Sequence, residues 1–151
     1  MLDEYERGMP EARIDDLFDQ VKDRLVPLIA QINASPQPSL ELLSGNFPLD
    51  KQDGLNAAIA SSLGYSGRRD VSLHPFSTSS SPLDVRITSR FSESEWYQGL
   101  AGTVHEIGHA FYESGMHTEP IPANSALSMG THESQSLFWE VRVYDREAVD
   151  R

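Results

Sequence analysis

The sequence predicts a mainly α-helical fold with one small β-hairpin. Three observations lead there. Apolar residues recur at helical spacing in separate stretches along the chain, a region near its middle alternates apolar and polar residues instead, and clusters of Pro, Gly, Ser and Asn fall between these segments. At 151 residues the chain fits one domain of ordinary size, and its 38% hydrophobic content is somewhat low for a self-contained globule.

Taken in order, Pro10 to Ile32 reads as a helix, because Ile14, Leu17, Phe18, Val21, Leu25, Leu28 and Ile29 keep helical spacing with charges between them. Pro27 should kink this helix or end its first part, since proline lacks the donor for the bond one turn back. The run Asn33-Ala-Ser-Pro-Gln-Pro-Ser39 is a loop by composition. A shorter helix is expected from about Pro48 to Leu63, with Gly64 ending it. Val71, Leu73, Phe76, Val85, Ile87 and Phe91 then near-alternate, which predicts a hairpin with strands near 71–76 and 84–90 and the serine-rich run 77–82 as its gap. A helix follows from about residue 93 to Gly115, its first turn acidic at Glu93 and Glu95, Ser92 or Ser94 available as cap, and Leu100, Val104, Ile107, Ala110 and Phe111 forming the apolar stripe. A proline-bearing loop, Glu119-Pro-Ile-Pro-Ala-Asn124, leads to a last helix over about Met129 to Ala148. Trp96, Tyr97, Phe138 and Trp139 occupy helical positions and read as core rather than as a substrate box.

Charge and composition exclude several classes of function. The formal charge is −11, from 12 basic and 23 acidic residues, so nucleic acid and anionic membrane are not expected partners. Without cysteine there is neither a disulfide framework nor a thiolate metal site, and any metal must be held by histidine and carboxylate. No N-terminal run resembles a signal peptide and no stretch approaches eighteen apolar residues, which makes a cytoplasmic protein the default expectation.

The most specific signal is His105-Glu-Ile-Gly-His109, with Glu133 twenty-four residues further on. Positions i and i+4 share a helix face, so the two imidazoles can point at one metal ion. Glu106 lies one step round, placed to hold and deprotonate a water rather than to ligate. A glutamate from a second helix is a sensible third ligand that leaves the fourth position open.

Several phrases, in order, resemble the M32 metallocarboxypeptidases, the carboxypeptidase Taq type. His74-Pro75-Phe76 looks like that family's HPF motif, Asp84-Val-Arg86-Ile-Thr88 its DxRxT motif, His105-Glu-Ile-Gly-His109 its metal motif, and His132-Glu133-Ser134-Gln135-Ser136 the phrase that carries the third ligand. Leu2-Asp-Glu-Tyr-Glu-Arg-Gly-Met9 resembles the sequence ahead of the family's long central helix. The resemblance covers roughly residues 1–142. It implies a gluzincin-like helical zinc-metallopeptidase, of which residues 1–151 would be the central catalytic, zinc-binding segment, with the family's flanking helical parts and its downstream Gln-Asp-x-His-Trp phrase missing. It implies release of C-terminal residues from peptides with a free C-terminus, and one Zn2+ per chain, with Co2+ as the alternative ion. His105, His109 and Glu133 would be the ligands and Glu106 the general base. A homodimer is implied for full-length relatives. Two other readings stand beside it, a zinc-binding remnant without turnover and a zinc endopeptidase on the same scaffold.

Other residues carry paired readings. Glu113 is four positions after His109 and can either accept that ring's second N–H or remain a solvated carboxylate. Glu140, seven residues after Glu133, can belong to the outer shell of the metal site. His132, beside the ligand, is a structural or substrate-facing group rather than a metal ligand. Arg86 can bind a substrate carboxylate bidentately or pair with Asp84 on the same strand face, with Thr88 alongside. His74 and Phe76 share a face and line the cleft or pack the hairpin.

Overall fold

The computed structural model describes residues 2–116 and 128–144, so the expected loop at 119–124 and the last residues of the expected C-terminal helix lie outside the described residues. The chain forms two compact units, residues 1–42 and 43–151.

The first unit holds a short helix, α1 (Leu2–Tyr5), and a long one, α2 (Glu11–Ala34). Asp3 Oδ1 accepts the Gly8 main-chain N–H at 2.7 Å and closes the turn after α1, where Gly8 takes a φ of 77°. Pro10 starts α2 at a position where a missing N–H is harmless. Of the two outcomes expected at Pro27, a kink or an end, the end does not occur, and α2 is one continuous helix through it. The strong 3.6-residue pattern on both sides carries the helix past one lost bond. α2 buries none of its own residues, and Leu17, Val21, Leu25 and Leu28 line a shallow apolar groove along it.

The second unit follows a 3-10 turn at Glu41–Leu43. It contains α3 (Leu49–Leu63), three strands, β1 (Arg69–Val71), β2 (Ser77–Ser81) and β3 (Asp84–Ser89), and then α4 (Trp96–Ser114) and α5 (Met129–Tyr144). Gly64 ends α3 as expected, in the left-handed conformation at φ 92° that favours glycine. The sheet has the order β1-β3-β2, with β1 parallel to β3 and β2 antiparallel to it.

The hairpin is therefore real but differently drawn. Its arms are β2 and β3, and the serine run expected to be a gap is itself a strand, whereas residues 72–76 form the irregular link between β1 and β2. β2 is an outer strand with exposed hydroxyl side chains, so it needs no apolar alternation. In β3 the alternation works as expected, and Val85 and Ile87 turn inward.

The core joins the end of α3, β3 and one face of α4, through Ala60, Tyr65, Val85, Ile87, Ile107 and Ala110, with Leu63 and Phe111 packed against them. The predicted stripe of α4 is the buried face, where Leu100, Val104, Ile107 and Ala110 are all buried and Phe111 half-buried. The helix starts later than expected. Glu95 precedes it without a side-chain cap, and Glu93 and Glu95 lie outside its first turn. Ser128 caps α5, its Oγ accepting the Thr131 N–H at 3.0 Å. The aromatic positions only partly form core. Trp139 packs edge-on against Phe111 at 5.2 Å, whereas Phe138 is 52% and Tyr97 37% exposed.

Candidate metal centre

Two helices build the site. α4 places His105 and His109 one turn apart, their rings edge-to-face with centroids 4.9 Å apart. α5 crosses α4 closely enough to add Glu133. The crossing depends on Gly108, because a Cβ there would stand 2.6 Å from Ser136 Cα and 2.8 Å from the Gln135 carbonyl oxygen. His105 and His109 flank Gly108 on one helix, and Glu133 and Glu140 lie one turn either side of Ser136 on the other.

Glu133 Oε2 lies 3.5 Å from His105 Nε2 and 3.6 Å from His109 Nε2, and each of the three residues offers an atom within 4.8 Å of the others. Ser136, fully buried, sets that carboxylate. Its Oγ is 2.7 Å from the Glu133 main-chain oxygen and 3.1 Å from Oε2, with one proton to donate between them.

The residues fit a metal ion of the zinc type. His105 Nδ1 is 2.9 Å from Glu140 Oε2. Donation from Nδ1 leaves the Nε2 lone pair facing Glu133, as a ligand must. Burial is the main reason His109 titrates below the ordinary histidine value, with the nearby His132 adding to it and Glu133 opposing it. Its neutral form is the one that ligates. Ligand atoms about 2.0–2.1 Å from a tetrahedral zinc lie roughly 3.4 Å from one another, close to the separations of Glu133 from the two rings. Three electron-rich atoms all within 4.8 Å of one another suit a shared cation.

Glu106 lines the same cavity and is only 7% exposed. Burial pushes its carboxyl above the ordinary value, opposed by His105 and reinforced by Glu133. That direction suits a group that must hold a proton during a reaction. The cavity, about 500 Å³, is bounded by His74, Pro75, Phe76 and Ser77 on one side and by His105, Glu106, His109, Met129, His132 and Glu133 on the other, with Gly102 between.

Of the five residues read as substrate-binding or cleft-lining, each with a structural alternative, His74 and Phe76 lie along this cavity. Asp84, Arg86 and Thr88 are not among the described residues that line it. Arg86 is taken up by Asp84 through a two-pronged bond, Nε to Oδ1 at 2.8 Å and Nη2 to Oδ2 at 2.7 Å. Each holds the other's charge, Asp84 below and Arg86 above its ordinary value, through that hydrogen bond first. Thr88 acts one step behind the cleft wall. Its Oγ1 accepts the Phe76 N–H at 3.0 Å and pairs with Ser72 Oγ at 2.8 Å, and Ser72 Oγ donates to the His74 carbonyl. The two strand motifs are therefore one structure, with Thr88 fixing the segment that presents His74 and Phe76.

Of the two carboxylates expected behind the ligands, Glu140 stands at His105. Glu113 does not reach His109. It sits 3.0 Å from His132 Nε2, and the buried Nδ1 of His109 has no hydrogen-bond partner, although the His132 main-chain carbonyl is near enough to favour a proton on that ring. Gly108 and Ser136 fall inside the two metal-site phrases and Ser79 in the serine run, but none was assigned a role from sequence. A glycine in mid-helix between two metal-type ligands was the available signal for the first.

Comparison with known proteins places the chain in a family. Residues 1–148 match the family model described as carboxypeptidase Taq (M32) metallopeptidase. Carboxypeptidase 1 of Bacillus subtilis (strain 168) is 38% identical over 146 residues, which cover 93% of this chain and 29% of that protein. Thermostable carboxypeptidase 1 of Thermus thermophilus is 39% identical over 146 residues, with the same coverage of 93% and 29%. Among solved structures, an M32 carboxypeptidase from Deinococcus radiodurans R1 superposes with a TM-score of 0.85 at 34% identity, covering 91% of this chain and 29% of that one. A Pyrococcus furiosus carboxypeptidase gives 0.84 at 32% identity, covering 97% and 31%. The chain thus spans under a third of the length of the relatives it matches, and it belongs to the carboxypeptidase Taq (M32) metallopeptidase family.

Proposed function

We propose that residues 1–151 are the central, metal-binding catalytic segment of a metal-dependent carboxypeptidase that releases C-terminal residues from peptides. One observation carries this reading: the buried carboxyl of Glu106 and the converging atoms of His105, His109 and Glu133 line a single open cavity. The three ligands would hold one Zn2+, or Co2+, which when bound supplies Lewis acidity toward a water and the scissile carbonyl. Glu106 takes a proton from the attacking water as its oxygen bonds to the carbonyl carbon. It returns that proton to the leaving nitrogen as the C–N bond breaks, giving a carboxylate and an amine. Burial of Glu106 favours the protonated state between the two transfers. His74 and Phe76 would shape the space for the substrate's last residues. Peptides with a free C-terminus are the proposed substrates. Among the described residues no helix is long and apolar enough to cross a membrane.

The test is release of the C-terminal residue from N-blocked dipeptides, with metal content measured on the same sample and Glu106→Gln as control. Stoichiometric metal with release lowered in the variant by roughly 10²–10⁴-fold is the expected result. Release from C-terminally amidated peptides at the same rate would favour an endopeptidase. A second reading, a metal-holding segment without turnover, is favoured by the exposure of Leu137, Phe138 and Val141 on α5. It predicts bound metal with wild-type release no greater than that of the Glu106→Gln control.

A further inference from the structure

His109 presents a physical problem that its neighbour solves. No hydrogen bond of ordinary geometry reaches its buried Nδ1, and the His132 main-chain carbonyl is only near enough to favour a proton on the ring, so the rotation that aims Nε2 at Glu133 needs a further restraint. The ring of His132 lies flat against it, centroids 4.4 Å apart and planes 21° apart. His132 is itself held by two neighbours, one of them buttressed in turn. Its Nε2 meets Glu113 Oε1 at 3.0 Å, Tyr112 packs edge-on at 5.2 Å and 83°, and Ser79 Oγ donates to the other oxygen of Glu113 at 2.5 Å. The chain of contacts runs from β2 through α4 to α5 and ends on a proposed metal ligand.

We infer that His132 is a positioning residue, a flat brace locked by Glu113 and Ser79 that holds His109 in its ligating orientation. The inference rests on the reading of His109 as a ligand. What the brace contributes is a planar surface on the face of His109, because a metal-ligating imidazole whose outer hydrogen bond is weak otherwise loses orientation and affinity. Ordinary core packing would require only that the volume be filled. The two accounts therefore part at the shape of the replacement side chain.

The experiment compares His132→Leu, which fills space without a plane, with His132→Phe, which restores a plane without the bond to Glu113. Zinc affinity is read by chelator competition, and the ring resonances of His109 are read by NMR on the metal-free chain with labelled histidine. Zinc binding should weaken by about 10–100-fold in the leucine variant and recover most of that loss in the phenylalanine variant. The His109 resonances should shift and broaden in the first and stay near wild type in the second. Equal zinc affinity and unchanged His109 resonances in His132→Leu would overturn the inference, as would equal losses in both variants. If the wild-type chain binds no zinc, the metal reading fails, and the resonances alone decide whether His132 orients the ring. Should His132→Leu not fold, Glu113→Leu against Glu113→Gln serves instead. Glutamine keeps an acceptor for His132, so only the leucine variant should disturb His109, and identical behaviour of the two sinks the proposal.

Discussion

Gly108 faces Ser136 so closely that a single methyl group on the glycine would stand 2.6 Å from Ser136 Cα. This contact is where α4 and α5 cross, and the site is arranged around it. The proposed ligands His105, His109 and Glu133 and the carboxylate of Glu140 all lie within about one turn of the two touching residues. The precision of the metal centre is thus a property of helix packing before it is a property of the ligands.

Gly108→Ala tests that dependence. In an isolated helix the change should help, since glycine costs about 1 kcal/mol against alanine in a helix interior. Here the new Cβ meets only main-chain atoms, at 2.6 Å and 2.8 Å, so neither neighbour can swing away and the helices must separate. Overpacking of this kind costs typically about 1–3 kcal/mol, and the clash should outweigh the propensity gain. The expected outcome is a lower melting temperature together with weaker zinc binding. A melting temperature at or above wild type would show that the crossing yields easily.

Glu140→Leu removes the partner of His105 Nδ1, which the carboxylate holds at 2.9 Å. The ring is then free to rotate or to take the wrong tautomer, and zinc affinity should fall by roughly 10–100-fold. Glu140→Gln keeps an acceptor and should lose much less. Chelator competition at fixed pH separates the two, and equal affinities would mean that Glu140 does not orient the ligand.

The convergence of His105 and His109 was legible because a helix fixes i, i+4 geometry and the sequence states it outright. The buried stripe of α4 and the stop at Gly64 were legible for the same reason, since local spacing decides them. What sequence could not show was set between elements. The serine run of β2 carries no alternation, and it is a strand because β3 offers it a hydrogen-bonding edge. Glu113 has the right spacing for His109, yet His132 arrives from α5 and takes it. Phe138 keeps helical periodicity with Trp139, but only Trp139 turns onto Phe111. Asp84 and Arg86 are the counter-example, since their spacing on one strand face already offered the pairing that the structure shows.

Thr88→Val is nearly isosteric and removes only the hydroxyl that accepts the Phe76 N–H and pairs with Ser72. Leaving those groups without their partner should cost about 1–3 kcal/mol and loosen the segment that carries His74 and Phe76. Because the ligands sit on α4 and α5, zinc affinity should hold while KM for dipeptide substrates rises. A fall in zinc affinity of the same size would mean that the cleft wall and the metal centre are one cooperative unit.

Tyr65→Phe probes the core beneath the site. The Tyr65 hydroxyl lies 3.0 Å from both the Arg68 and the Val85 carbonyl oxygens, tying the loop after α3 to β3. Removing it should cost about 1 kcal/mol at pH 8 and leave zinc affinity unchanged. Burial pushes this hydroxyl from its ordinary 10.0 up to about 12. The folded state therefore keeps a proton that the unfolded state releases above pH 10, so the unfolded state binds fewer protons there and the stability conferred by Tyr65 declines as pH rises. The contribution is fully present below about pH 10 and is lost as pH climbs toward 12. Phenylalanine has no proton to lose, while the other titrating groups are common to both chains. The stability advantage of wild type over Tyr65→Phe should thus shrink across pH 10–12 and then reverse, as read from denaturant unfolding of both proteins at matched pH. An advantage that stays constant through that window would mean that the Tyr65 hydroxyl ionises in the folded chain as readily as in water.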